Sequence, residues 1–255
     1  MIFTYVSDVH LEYCKTEKDF DKILTLFISE FEEFPGTLLV AGDFCPVVHP
    51  RFESFWHSFF ESCPYTQVLF IPGNHEYYGS TWEKVHDFLR GFEEKYVRFV
   101  FLNQECFGCD FFGATGWYPD TPDIHLLKNN LHDFDQIKSP NLTSLVVSHH
   151  DQVEEYLSTA SYTLPSVCFF HHSPWRRGLQ PKFRRDRLRC YYENNFLSTI
   201  LRTQNSVRHI IHGHTHYTYS VPIFSTLSNG VLVSSNPFRS DNRSCPFSFV
   251  YHNLG

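Results

Sequence analysis

The 255 residues carry 42% hydrophobic and 19% charged side chains, enough apolar content for a sizeable core in a globular chain. A formal net charge of −7 argues against a protein that coats nucleic acid, because that affinity comes mainly from lysine and arginine neutralising phosphates. No apolar run reaches bilayer-spanning length, and "MIFTYVSD" enters a strand without a basic leader. The expectation is therefore a cytoplasmic chain with mostly reduced thiols among its eight cysteines.

In chain order, "IFTYVS" reads as a first strand. Residues 18–33 read as a helix, because Phe20, Ile23, Leu24, Phe27, Ile28 and Phe31 follow i, i+3, i+4 spacing, and Pro35-Gly36 ends it. "TLLVAG" is a continuous apolar run of the kind buried on both faces of a sheet. "FESFWHSFFE" reads as a helix, "QVLFIPG" as a strand, and "STWEKVHDFLRGFEEK" as a helix capped by Ser80 or Thr81. "VRFVFL" and "FFGATG" add strands, with Gly108 of "CFGC" as a turn between them. No second cysteine pair stands at zinc-finger spacing, which argues against a structural zinc.

Residues 117–140 read as an irregular surface excursion, 141–160 as mostly helical, and "SVCFFH" as a strand. A basic loop over 173–189 precedes a helix in "YYENNFLSTILR" and a strand in "VRHIIH". "YTYSVPIF", "GVLVSS" and "PFSFVYH" close the chain as short β segments. Strands alternating with helices predict an α/β layered fold, and the lack of repeats or linkers predicts one domain over 1–255. The 27 phenylalanines against a single methionine predict a core packed with aromatic rings.

Each apolar strand is followed at once by a small polar cluster: Asp8 and His10, then Asp43, then Asn74 and His75, then His171 and His172, then "HGHTH" at 212–216. In open α/β sheets the ligand site lies beyond the carboxyl ends of the strands. In extended backbone His214 and His216, two apart, point to the same side and converge on one spot. Carboxylate, amide oxygen and imidazole suit a pair of divalent ions such as Mn, Fe or Zn, and Asp43 has two oxygens with which to bridge them. Singly, each cluster also reads as caps and turn formers, since Asp, Asn and Gly favour turns. Five clusters at one edge describe one site.

The set Asp8-x-His10, Gly42-Asp43, Gly73-Asn74-His75-Glu76, a strand-ending His171 and Gly213-His214-x-His216 resembles the signature of calcineurin-like metallophosphoesterases, in order and spacing from residue 1 to about 240. "DVHLEY", "GATGW" and "NPFR" resemble its small single-domain subgroup. The resemblance implies a four-layer α/β/β/α metallophosphoesterase sandwich and two divalent metal ions. The first ion would be held by Asp8, His10, Asp43 and His216, and the second by Asp43, Asn74, His171 and His214, with His75 as the acid–base residue.

"VVSHH" mimics "CFFHH". His149 and His150 run into a helical pattern, whereas Ser173-Pro174 opens a loop after His171 and His172. His171 is therefore taken as the ligand, His172 as facing substrate, and His149 and His150 as exposed on a helix. One departure stands out. Many relatives carry an acidic residue shortly after the Gly-Asp pair, where this chain has Phe44 and Cys45.

The implied chemistry is in-line attack of a metal-bridging hydroxide on phosphorus, with His75 protonating the leaving oxygen. The expected substrate is a small phosphoester, a diester or nucleotide rather than a phosphoprotein. A nuclease of the same superfamily and a catalytically inactive scaffold are the competing readings. The acidic balance counts against the first and the full set of ligand types against the second. Within "WRRGLQPKFRRDRLR" seven cations face the single acid Asp186. Guanidinium forks bind phosphate oxygens, so Arg176 and Arg177, just beyond His171, are expected to hold a second phosphate or steer an anionic substrate.

Overall fold

Alternation within the strands builds the layers. In a computed structural model, residues 2–33, 36–108, 110–120, 128, 131–159, 166–182, 184–185, 188–203, 206–225, 228–238 and 252–253 are described. Strands β1 (Ile2–Val6), β2 (Thr37–Ala41), β3 (Gln67–Ile71) and β4 (Phe99–Phe101) lie parallel, with Tyr5 opposite Leu39 and Leu39 opposite Leu69. Leu38, Val40, Val68 and Phe70 face one way, into a cluster with helices α1 (Glu17–Glu33), α2 (Pro50–Ser62) and α3 (Trp82–Lys95). Leu39, Ala41, Leu69 and Ile71 face the other way, onto the second sheet. Both faces are apolar because both are covered, as expected for parallel sheets.

The second sheet runs β5 (Glu105–Phe107), β6 (Phe111–Ala114), β7 (Val167–Phe170), β8 (His209–His212), β10 (Ser228–Ser235), β9 (Tyr219–Ser225). From β6 to β10 the neighbours are parallel, and the edge strands β5 and β9 are antiparallel. Phe111, Val167, Phe169 and Ile211 meet the first sheet. Phe112, Ala114, Cys168, Phe170 and Ile210 face away, packed with Val153, Leu157, Phe196 and Ile200. Those partners come from helices α5 (Leu142–Thr159) and α7 (Phe196–Thr203), which follow the short α4 (Asp133–Gln136) and α6 (Arg189–Tyr192). Helix, sheet, sheet and helix make four layers. Strand β11 (His252–Asn253) pairs antiparallel with β1.

Among the described residues, most aromatic rings of the core belong to the cluster between the first sheet and its helices. Phe27 meets Phe55 edge-on at 5.2 Å, Phe44 stacks on Trp56 at 4.6 Å, and Phe92 meets Phe99 edge-on at 5.0 Å. Such pairs contribute about 0.5–1.5 kcal/mol each beyond their area burial. Phe44 and Cys45 are buried in this layer, so the residues after Gly42-Asp43 serve packing. Helix α1 opens on a reciprocal cap, Asp19 N–H to Thr16 Oγ1 and Thr16 N–H to Asp19 Oδ2, both 3.1 Å. Thr81 caps α3 by accepting from Lys84 N–H.

Two expectations about helices are corrected. "YYENNFLSTILR" is not one helix. It breaks between α6 and α7, where Glu193 bridges to Ser173 and Asn195 takes a φ of 63°. His149 and His150 are buried rather than exposed: His149 meets Trp82 edge-on at 5.7 Å and His150 stacks on Phe196 at 5.0 Å. They share the α5 face of Val146, Val153 and Leu157, which helical spacing makes apolar. Gly108, with a φ of 60°, does lie at a turn, but that turn joins β6 to the short strand β5 rather than to "VRFVFL", whose strand β4 belongs to the first sheet. Most of "PFSFVYH", along with Arg239, Cys109, Asp186 and Arg187, lies outside the described residues. Among the described residues no helix is long and apolar enough to cross a membrane.

Candidate metal centre

The loops after β1, β2, β3, β7 and β8 meet at one edge of the two sheets and are tied together by backbone hydrogen bonds. Asp8 N–H donates to Gly42 O, His10 N–H to Asp43 O, Gly213 N–H to His171 O, and His171 N–H to Thr115 O, all at 3.0 Å. Asp8, His10, Asp43, His214 and His216 all hold positive φ, between 48° and 63°. Left-handed backbone at non-glycine residues is uncommon and persists where surrounding contacts enforce it.

This corrects the reading of "HGHTH" as extended. His214 and His216 do not converge on one spot. The turned backbone sends His214 Nδ1 to 3.2 Å from His171 Nε2, and His216 Nε2 to 3.2 Å from His10 Nε2.

Two groups of donors result. Asp8, His10 and His216 offer one ligand atom each within 4.8 Å of one another, and Asp43, His171 and His214 do the same. Asp43 Oδ2 lies 3.3 Å from His171 Nε2 and 3.9 Å from His10 Nε2, between the groups. Asp43 Oδ1 accepts from His75 N–H at 2.9 Å. His10, Asp43 and His75 form a third overlapping group. Asn74 turns Oδ1 to 3.1 Å from His171 Nε2, and its Nδ2, with two hydrogens to give, lies 3.0–3.1 Å from Asp133 Oδ1, Tyr78 Oη and Tyr191 Oη. The amide is thus held with its acceptor oxygen inward.

The donor set fits divalent cations. His171 Nδ1–H donates to Ala41 O at 2.9 Å, which leaves Nε2 as the lone-pair nitrogen facing Asp43. Burial disfavours a charge on His171, but the Asp43 carboxylate outweighs it and lifts its pKa to about 9. A proton and a metal ion compete for that one nitrogen, and the field that favours the proton favours the ion. Burial alone would raise the Asp43 carboxyl. The surrounding histidines reverse that and hold it well below the usual range. Burial and the neighbouring imidazoles His172 and His171 push His214 down, towards the neutral form a ligand needs.

Glycine admits this crowding. A Cβ at Gly42 would lie 2.5 Å from Gly73 N and 2.6 Å from His171 Nδ1, and one at Gly73 would lie 2.3 Å from Asp43 Oδ1. Beneath them Glu76 accepts four backbone N–H bonds, from Asp43, Phe44, Cys45 and Gly73, at 2.5–3.0 Å. That single side chain clamps the loop after β2 to the loop after β3. Burial and the Asp43 charge push its carboxyl up, to about 7, against those donors.

His172 is fully buried. Its ring packs 4.3 Å from His214 and 4.9 Å from Trp117, so it backs a donor rather than facing substrate as expected from the sequence. Arg176 and Arg177 are exposed. Arg176 donates through Nε and Nη2 to Arg184 O, at 3.1 and 2.7 Å, so its guanidinium braces the loop. The loop leans on the metal-side turn through Gln180 Nε2, which donates to Thr215 O and His216 O. The sequence reading missed Glu12, Glu76, Asp133 and Tyr191. Glu12 stands two residues beyond His10 in "SDVHLE", a signal open to view, whereas Asp133 comes from an irregular segment with no pattern to mark it.

Known proteins carry the same architecture. A phosphopantetheinyl hydrolase of Mycobacterium tuberculosis superimposes with a TM-score of 0.69 at 13% identity, over 99% of this chain and 96% of its own. A dimetal phosphatase of Danio rerio gives a TM-score of 0.53 at 13% identity, over 92% and 86%. Uncharacterized protein L509 of Acanthamoeba polyphaga mimivirus is 23% identical over 279 residues, covering 98% of this chain and 96% of its own. The family described as calcineurin-like phosphoesterase matches residues 1–218. That match spans every strand-end cluster of the site, and with it the chain belongs to the calcineurin-like phosphoesterases and is a metal-dependent phosphoester hydrolase.

Proposed function

We propose that this chain hydrolyses a small phosphodiester or nucleotide-type phosphoester at a dinuclear centre. Asp8, His10 and His216 would hold one ion, Asn74, His171 and His214 the other, and Asp43 would be shared. The observation that carries this reading is the position of Asp43 Oδ2 between His10 Nε2 and His171 Nε2, at 3.9 and 3.3 Å. When bound, two divalent ions supply a nucleophilic water at neutral pH and neutralise charge on the phosphoryl oxygens.

The chain's own groups do the rest. His75 sits beside both donor groups and hands a proton to the leaving oxygen. Burial disfavours its charge, but Asp43 and Glu12 together raise its pKa to about 9, so a proton is available at neutral pH. Arg177, exposed in the loop that follows His171 and His172, supplies a cation for a second phosphate or a nucleotide's charge. The names of the structural neighbours, a phosphopantetheinyl hydrolase and a dimetal phosphatase, support phosphoester chemistry with two metals.

The test is a screen of phosphomonoesters, a chromogenic phosphodiester and dinucleotides with Mn²⁺, before and after chelation. Turnover of a diester or dinucleotide that chelation abolishes and Mn²⁺ restores is the expected result. Turnover confined to monoesters would overturn the substrate class, and no turnover with two ions bound would overturn the hydrolytic reading.

A further inference from the structure

Glu12 lies in the 3-10 turn Leu11–Tyr13 that follows His10. Its side chain is 13% exposed, and one oxygen serves two rings: Oε1 is 2.7 Å from His75 Nδ1 and 3.1 Å from His10 Nδ1. An ionised carboxylate can only accept, so both rings must present Nδ1–H to it. Its other oxygen, Oε2, is buried with no hydrogen-bond partner among the described residues. A surface ion pair would not bury half of its carboxylate unpaired, because that costs desolvation energy with no bond to offset it. The two rings lie 4.4 Å apart at 71°, each with its Nδ1 edge turned to the same oxygen.

We propose that Glu12 is a positioning residue that fixes the Nδ1–H tautomer of His10 and His75 with a single oxygen, keeping Nε2 of His10 free as a donor to metal and Nε2 of His75 free to carry a proton to the leaving group. This rests on the reading of His75 as the general acid. In the step it serves, a water oxygen forms the new P–O bond and its proton passes to solvent. The ester P–O bond breaks, and the leaving oxygen keeps the electron pair and takes the proton from His75 Nε2. His75 ends neutral, with Nδ1–H still on Glu12. A ring in the other tautomer would present Nδ1 as a lone pair to a carboxylate, which repels it. The geometry therefore selects one tautomer for both rings. Carboxylates that orient ligand histidines in this way typically contribute about 10–100-fold in metal affinity or activity.

The test compares the full-length wild type with Glu12→Ala and Glu12→Gln. Imidazole ¹⁵N shifts of the metal-free protein at alkaline pH read the tautomers without reference to activity. The wild type should show protonated Nδ1 on His10 and His75. Glu12→Ala should show mixed tautomers, lower metal affinity, and a kcat loss of roughly 10–100-fold that grows with leaving-group pKa. Glu12→Gln, whose Oε1 still accepts, should restore the tautomers and part of the rate. A wild-type spectrum with unprotonated Nδ1 on either ring, tautomers unmoved in Glu12→Ala, or an equal loss for good and poor leaving groups would overturn the proposal. The wild-type spectrum decides even if Glu12→Ala fails to fold. If the wild type shows the fixed tautomers yet hydrolyses no phosphoester, the functional reading fails and the positioning of the rings stands.

Discussion

His75 occupies a position between two duties. Its backbone N–H steadies Asp43 Oδ1, and its ring, backed by Glu12 and packed 4.3 Å from Tyr78, borders both donor groups. If it carries the proton for the leaving group, His75→Gln should retain the bound metals and lose about 10²- to 10⁴-fold in kcat on a poor leaving group, with the deficit shrinking as leaving-group pKa falls. Metal analysis beside a leaving-group series checks this, and loss of metal would assign His75 to the ligands. At this scale the candidate donors were legible because each follows an apolar strand directly. Glu12, two residues beyond His10, left a spacing open to view, but Glu76 and Asp133 were not legible as a supporting layer. What distinguishes them is whom they touch: Glu76 gathers four backbone donors and Asp133 orients one amide, and neither relation leaves a spacing in the sequence.

Between strand and loop, the decisive feature is close approach. Gly42 has a φ of 78°, and its missing Cβ admits Gly73 and the His171 ring. Gly42→Ala should destabilise the fold by at least about 2 kcal/mol, seen as a fall in Tm of roughly 4–8 °C, and should reduce metal binding as His171 is displaced. An unchanged Tm with full metal content would show that the loops after β2 and β3 can separate at no cost. Most strands, though not the short β5, and the three long helices after β1, β2 and β3 follow from periodicity. The loops do not, because the left-handed backbone at Asp8, His10, Asp43, His214 and His216 is imposed by contacts between distant segments, such as Asp8 Oδ1 accepting from His214 N–H at 2.9 Å. The break between α6 and α7 has the same origin in the pairing of Glu193 with Ser173. The buried face of α5 is different. The spacing of Val146, His149, His150, Val153 and Leu157 was present in the sequence, and two histidines concealed an apolar stripe.

Across the whole molecule, the four layers leave several imidazoles in apolar surroundings away from the metal centre, and these link stability to pH. His149 is buried against Trp82, and neither ring nitrogen has a partner among the described residues. Burial, reinforced by His86 and His150, pushes its pKa down to about 3. The unfolded chain takes up that proton near the ordinary histidine value, about 6.5, so below it the unfolded state binds more protons than the folded one. The contribution of His149 is complete above about pH 6.5 and is lost as pH falls from there towards 3, reaching about 2 kcal/mol at pH 5. His149→Phe, which keeps a ring against Trp82, should flatten this acid limb in denaturant titrations at stepped pH. An unchanged slope would mean that the imidazole is solvated in the folded state.

If Asp43 joins the two metal subsites, both ions depend on its one carboxylate. The most direct measurement is metal stoichiometry and phosphodiester turnover of Asp43→Asn beside the wild type. The amide keeps the shape of the side chain but removes the charge that His10 and His171 face from either side. Two divalent ions per wild-type chain, with metal content and turnover falling together in Asp43→Asn, is the expected outcome. A variant that keeps two ions and near-normal turnover would show that Asp43 does not bridge them.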